Sequence, residues 1–312
     1  MSAYATQRGA ALLVALAIIA LASFIALQMT QRLELDIART TNINRNFIAS
    51  EYARGLEALA RNSLRQDFID SGQVDTLNEP WAQALPALPV PGGSVTGVMQ
   101  DLNGRFNVNW LVNNGQADET RVDMLRRLLV ALELNEALAD TITDWVDSDS
   151  IPRSNGAESA IYAERRPAYR SANRPMAHIS ELRLIAGVSA EVYARLEPHL
   201  AAIPANANQR RINVNTATPE VLMALDSGIS RARAERLTQN GSAAFMTLDT
   251  FLNHPAMDGV VLPQAASLLS VSSSHFLARA VVVLDDIPRF YFILLERDGN
   301  SYHVLHRSYG SP

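Results

Sequence analysis

The chain has 312 residues, 48% hydrophobic and 19% charged, with 27 Lys+Arg against 32 Asp+Glu and a net charge of −5. That composition excludes a wholly disordered chain, and a single long apolar run excludes a polytopic membrane protein. The acidic balance argues against nucleic acid as the main partner, the absence of cysteine excludes disulfides and thiolate zinc sites, and the length predicts two folded units beyond the N-terminal segment.

Ala10 to Leu27 is apolar throughout except for Ser23. As a helix this run is about 27 Å long, enough with its flanks to cross a hydrocarbon core of about 30 Å. A cleaved secretory signal would have a shorter apolar core and a small-residue cleavage site after it, and no such site follows. Arg8 before the run and a polar body after it predict a cytoplasmic N-terminus and an exported C-terminal body. Beyond the span, Leu33, Ile37, Phe47, Tyr52, Leu56, Leu59 and Leu64 recur at spacings near three and four among charged residues. No proline interrupts them, so one helix over 10–65 is predicted, half in lipid and half with a face for a folded domain.

Residues 66–100 are rich in loop formers, including Pro80, Pro86, Pro89 and Pro91. Two short strands then read on either side of Asp101–Gly104, with Asn103-Gly104 as a hairpin turn. From Glu119 to about Ala205 the pattern is helical: Val122, Leu125, Leu128, Leu129, Leu132 and Leu134 make one stretch and Glu136–Val146 another. Ile179–Ile185 and Glu191–Leu200 are shorter. After Ile212-Asn213-Val214-Asn215-Thr216-Ala217, Thr218 is a natural N-cap with Pro219 at the first helical position. Gly228-Ile229-Ser230 leads into a second helix, Arg231–Leu237. Strands return at Phe276–Leu284, Arg289–Glu296 and Tyr302–His306, with turns at Asp285–Pro288 and Asp298–Asn300.

The densest acidic cluster runs Asp140, Asp144, Asp147, Asp149, then on to Glu158 and Glu164. Asp140, Asp144 and Asp147 share one helical face near a C-terminus, where like charges and the helix dipole both disfavour them. A hard cation such as calcium, which takes six to eight oxygen ligands, reverses that cost; a solvated acidic loop is the alternative. The loop is not an EF-hand, because Ile151 and Pro152 occupy the fifth and sixth positions counted from Asp147. No nucleophile elbow, dinucleotide fingerprint or P-loop occurs, and His303 and His306 would point to opposite faces of a strand. No catalytic residue is nominated, and the chain is read as not an enzyme.

Gly9 followed by Ala10-Ala11-Leu12-Leu13-Val14 resembles the class III leader of type IV pilins and type II secretion pseudopilins. The resemblance implies cleavage between Gly9 and Ala10 by a prepilin peptidase and methylation of the new N-terminus at Ala10. Most such subunits carry glutamate at the fifth mature position, where this chain has Val14. A carboxylate in the bilayer costs about 2.5–3.5 kcal/mol on insertion scales, so it persists only with a task, in that family the docking of one subunit beneath another. Its absence points to the fibre tip, and valine there is typical of the K-type minor pseudopilins. The segment Asp101-x-x-Gly104-Arg105-Phe106-Asn107-x-Asn109 and the string Asp144-Trp145-Val146-Asp147-Ser148-Asp149 also resemble that family.

The resemblance implies calcium, with ligands among Asp144, Asp147, Asp149 and Glu158. It implies an α+β, pilin-like fold: a long N-terminal helix on an antiparallel sheet, with a large inserted all-α domain. The expected division is a leader at 1–9, the helix at 10–65, the first part of the sheet at 66–118, the insert at 119–270 and the last strands at 271–312. The implied role is a cap on the secretion pseudopilus in the inner membrane, its C-terminal domain periplasmic. Expected partners are I- and J-type minor pseudopilins, H-type minor and major pseudopilins, and secreted substrates or the outer-membrane channel. The Ile212–Ala217 block with its following helices resembles helix-hairpin-helix DNA-binding modules, but Ser230 stands where their second glycine lets a phosphate approach. The K type carries this pattern without binding DNA, so no nucleic acid is expected. A membrane-tethered competence-type DNA binder and a type IV pilus minor pilin are the rival readings.

Overall fold

The computed structural model describes residues 4–204, 211–263 and 265–310. The first element, α1 (Tyr4–Ser71), runs unbroken for 68 residues because no proline interrupts it, and it ends before Gly72, whose φ of 74° suits a helix terminus. It extends past the predicted end at 65. One stretch within it is long and apolar enough to cross a membrane, with mean hydropathy 2.8 over 18 residues and no burial. Farther along, Ala49, Ala53, Leu56 and Leu64 fall on one face and are buried. The predicted face is thus corrected in part. Small alanines make much of the contact with the sheet, while Leu33, Ile37, Phe47 and Leu59 stay exposed.

The sheet has five antiparallel strands in chain order: β1 (Leu85–Val90), β2 (Gly93–Asp101), β3 (His275–Leu284), β4 (Ile287–Asp298) and β5 (Ser301–Tyr309). Phe276, Ala278, Ala280, Val282 and Leu284 alternate on the buried face of β3 and pack against α1. Asp285 and Asp286, at φ 49° and 64°, form the two-residue turn between β3 and β4. Glu57 of α1 accepts from Arg307 of β5 at 2.7 and 2.8 Å, a bidentate pair locking helix to sheet.

Two features here depart from the local sequence pattern. The proline-rich segment contributes β1, which is tolerated because it is an edge strand and prolines there forfeit no ladder donor the sheet needs. The hairpin at Asp101–Gly104 does not form. Phe106–Asn107 instead pairs in parallel with Leu200–Ala201, and Phe106, Val108, Trp110 and Leu111 join the core of the helical domain. The insert therefore begins just after β2, not at 119. Asn103 explains the departure. Its side-chain oxygen accepts from Ser274 N and His275 N at 3.0 and 2.8 Å, and its amide donates to Arg211 O at 3.1 Å. Gly104 lies so close to Thr216 that a Cβ would sit 2.6 Å from its carbonyl oxygen.

The helical domain comprises α2 (Glu119–Ala131), α3 (Leu138–Val146), α4 (Ser159–Ala163), α5 (Ala190–Leu196), α6 (Pro219–Met223), α7 (Arg231–Thr238) and α8 (Leu248–Leu252). Ile179–Leu184 is a 3-10 turn, tighter than the helix expected there. Buried asparagines replace missing ladder bonds. Asn109 bonds Met176 N and O, and Asn215 bonds Phe245 N and O. Because Leu64 packs with Met99 and Phe276, whereas Ala49 and Ala53 pack with Val282 and Leu284, the domain leaves the sheet at the end remote from the apolar span. Thr218 caps α6 through Val221 N, as its sequence context implies. Thr218→Ala is expected to lower stability by about 1 kcal/mol, read from a denaturant midpoint at unchanged m-value.

Candidate metal centre

The acidic cluster sits where α3 ends. Trp145, buried against Tyr162 at 5.2 Å in an edge-to-face contact, fixes the last turn of α3 in the core and so points the following chain outward. Asp140 is separated from the rest. It accepts from Arg126 at 2.8 Å, Arg153 Nε at 3.2 Å and Asn155, and although burial opposes it, these bonds hold its carboxyl below the ordinary range. Asp144 is fully buried and accepts from Arg153 N at 3.1 Å. A Cβ at Gly156 would collide with its Oδ2, so the loop closes over this carboxylate only with glycine there. Burial pushes Asp144 up to about 6.

Asp147, Asp149 and Glu158 converge, each offering an oxygen within 4.8 Å of the others. Asp147 Oδ1 and Glu158 Oε1 are buried without a hydrogen-bond partner. Burial, then the charges of Asp149, Asp144 and Glu158, push Asp147 up to about 7. The guanidinium of Arg153 offsets this charge only in part, because it is turned to Glu119 at 2.7 Å and to Asp140. Asn173, at φ 44°, closes the other side: its amide donates to Asp149 O and to Glu158 Oε2, and its Oδ1 is another buried oxygen without a donor. Orphaned oxygens, concentrated negative charge and no sulfur or imidazole fit a hard cation of the calcium type.

Of the predicted ligands, the structure thus groups Asp147, Asp149 and Glu158, and sets Asp144 behind them as a brace of the loop. Asn173 carries no sequence signal, since no spacing relates it to the acidic run. Ala10 and Val14 lie on the exposed apolar part of α1, and Gly9 is within the same helix. The arginines after Ser230 have internal partners: Arg231 bonds Glu220 at 2.8 Å and Ala131 O, and Arg233 bonds Ala256 O and Asp258 O.

Residues 104–205 and 212–272 each match a family described as type II secretion system (T2SS), protein K. Type II secretion system protein K of Klebsiella pneumoniae is 33% identical over 97% of both chains, and that of Aeromonas hydrophila 34% over 97% of both. The chain belongs to the type II secretion system protein K family. This is the K-type minor pseudopilin family to which the leader and loop motifs pointed. A crystal structure of the GspK–GspI–GspJ complex from enterotoxigenic Escherichia coli contains a chain 27% identical to this one, with a TM-score of 0.76, covering 88% of this chain and 100% of that one. The α+β architecture with a helical insert is therefore that of protein K, a secretion-system component and no known enzyme family.

Proposed function

We propose that this minor pseudopilin caps the tip of the type II secretion pseudopilus and initiates its assembly, so supporting export of folded proteins across the outer membrane. The observation that carries the reading is the placement of the helical domain between β2 and β3, at the sheet end away from the apolar span. Bulk in that position obstructs a further subunit above it. Val14, in place of an acid, removes the group by which a subunit docks beneath a neighbour. Exposed Leu33, Ile37, Phe47 and Leu59 leave α1 a face for partner helices.

The apolar span would anchor the chain once in the inner membrane, body in the periplasm, after prepilin peptidase cuts between Gly9 and Ala10 and methylates Ala10. I- and J-type minor pseudopilins, the companions named in the similar complex, would form the tip with it, above the H-type and major pseudopilins. Asp147, Asp149 and Glu158 would hold calcium, joined by Asn173 and braced by Asp144. Partner capture tests the tip assignment. Affinity-tagged chain from native membranes is expected to carry the I- and J-type subunits in stoichiometric amount. Recovery of major pseudopilin alone would sink the assignment.

A further inference from the structure

Outside the helical domain, three carboxylates meet where α1 gives way to the sheet. Asp67 lies in the last turns of α1, and Asp75 and Glu79 lie in the loop that follows; each offers an oxygen within 4.8 Å of the others. Asp67 is 6% exposed and Asp75 0%. Two of their oxygens, Asp67 Oδ2 and Asp75 Oδ1, are inaccessible and have no hydrogen-bond partner. The remaining contacts are already allotted. Asp75 Oδ2 accepts from Ser273 N at 2.7 Å and pairs with Arg297, while Glu79 Oε2 accepts from Trp81 Nε1 at 2.6 Å and Thr76 N at 3.1 Å.

Carboxylates are acceptors only, so facing oxygens need something positive between them. Arg297 neutralises one of the three charges and leaves two in a buried setting, where uncompensated charge is costly. A single shared proton satisfies one pair of oxygens; a divalent ion satisfies all three side chains and balances the charge. We infer that Asp67, Asp75 and Glu79 form a second cation site, of the hard divalent class represented by calcium, which fastens the end of α1 to the sheet. The donor set is oxygen throughout, as calcium requires. The backbone of Asp75 is held by Val271 O at 2.9 Å, so the ion would also fix the point where the chain returns from the helical domain.

Radioactive-calcium equilibrium dialysis of the detergent-solubilised full chain at about 1 mM calcium, the range of weak extracellular sites, is the test. Asp67→Asn is expected to lose one equivalent relative to wild type, in an Asp147→Ala background as much as in the natural one. That independence separates this site from the one on the helical domain. Glu79→Gln is expected to lose the same equivalent, and Trp81→Phe to remove a component of terbium luminescence in the otherwise natural chain. Folded Asp67→Asn binding as much calcium as wild type would show that only a proton bridges these groups. Terbium emission insensitive to Trp81→Phe would overturn the inference in the same way.

Discussion

Removing calcium from the solubilised chain is expected to lower its melting temperature by roughly 5–10 °C, and Asp147→Ala to abolish the dependence on calcium at the helical-domain loop. Ligand at 100 times its dissociation constant stabilises by about 2.7 kcal/mol, and about 1 kcal/mol moves the midpoint of a domain of this size by about 2–4 °C. The variant should lose more than about tenfold in affinity, since even outer-shell partners of metal sites contribute that much. Asp147 stands up at about 7 through burial and its neighbouring carboxylates, and it must lose its proton to ligate. Affinity therefore rises with pH up to about 7 and flattens above it, by as much as about tenfold per unit for one displaced proton. Calorimetric titration at pH 6 and 8 in buffers of different ionisation enthalpy reads both affinity and proton release. Equal affinity at the two pH values, or an unchanged melting curve on chelation, would dispose of the calcium assignment.

The second large effect is expected at Asp101, the first residue of the Asp101–Asn109 motif, whose structural role its place in that motif does not reveal. Its carboxylate accepts from Ser273 Oγ and Thr216 Oγ1 at 2.5 Å each and from Asn103 N at 2.7 Å. It thereby ties the end of β2, the strand entering the insert and the chain leaving it. Asp101→Ala orphans several buried donors at about 1–3 kcal/mol each, so a loss of about 2–4 kcal/mol is expected from chemical denaturation. The pH dependence has a definite sign. Burial pushes Asp101 up to about 6, above its unfolded value, despite the hydroxyl bonds that oppose the shift. The folded chain binds the extra proton between pH 4 and about 6, so this group's contribution is fully present at low pH and lost as pH rises through about 6. The deficit of the variant against wild type should then be greater at pH 5 than at pH 7, by roughly 1 kcal/mol. A deficit that grows with pH would contradict this account.

Much of the fold was legible because its causes are local. An uninterrupted apolar run fixes the membrane-length helix, the Thr218-Pro219 pair fixes the start of α6, and Asp285-Asp286 supplies the turn between β3 and β4. Asp147-x-Asp149 lies within one loop, so spacing alone nominated it. Ser230 in place of a glycine already weakened the DNA-binding reading, and the internal bonds of Arg231 and Arg233 agree with that. Asn103-Gly104 misled for a physical reason. The same dipeptide that favours a hairpin also offers a side-chain amide, and here the amide satisfies backbone groups of Arg211, Ser274 and His275 from distant segments.

The sequence by itself determined the span, the start of α6, the turn between β3 and β4 and the acidic loop, because periodicity, capping and turn chemistry act over a few residues. Only tertiary structure decided that Phe106 pairs with Leu200, that a proline-bearing segment can serve as an edge strand, and that Asn173 reaches Asp149 and Glu158. The same holds for Asp67, Asp75 and Glu79 beside Arg297 of β4. Such meetings depend on which surfaces bury each other after folding, and long-range burial leaves no fixed interval in the chain for a reader to count.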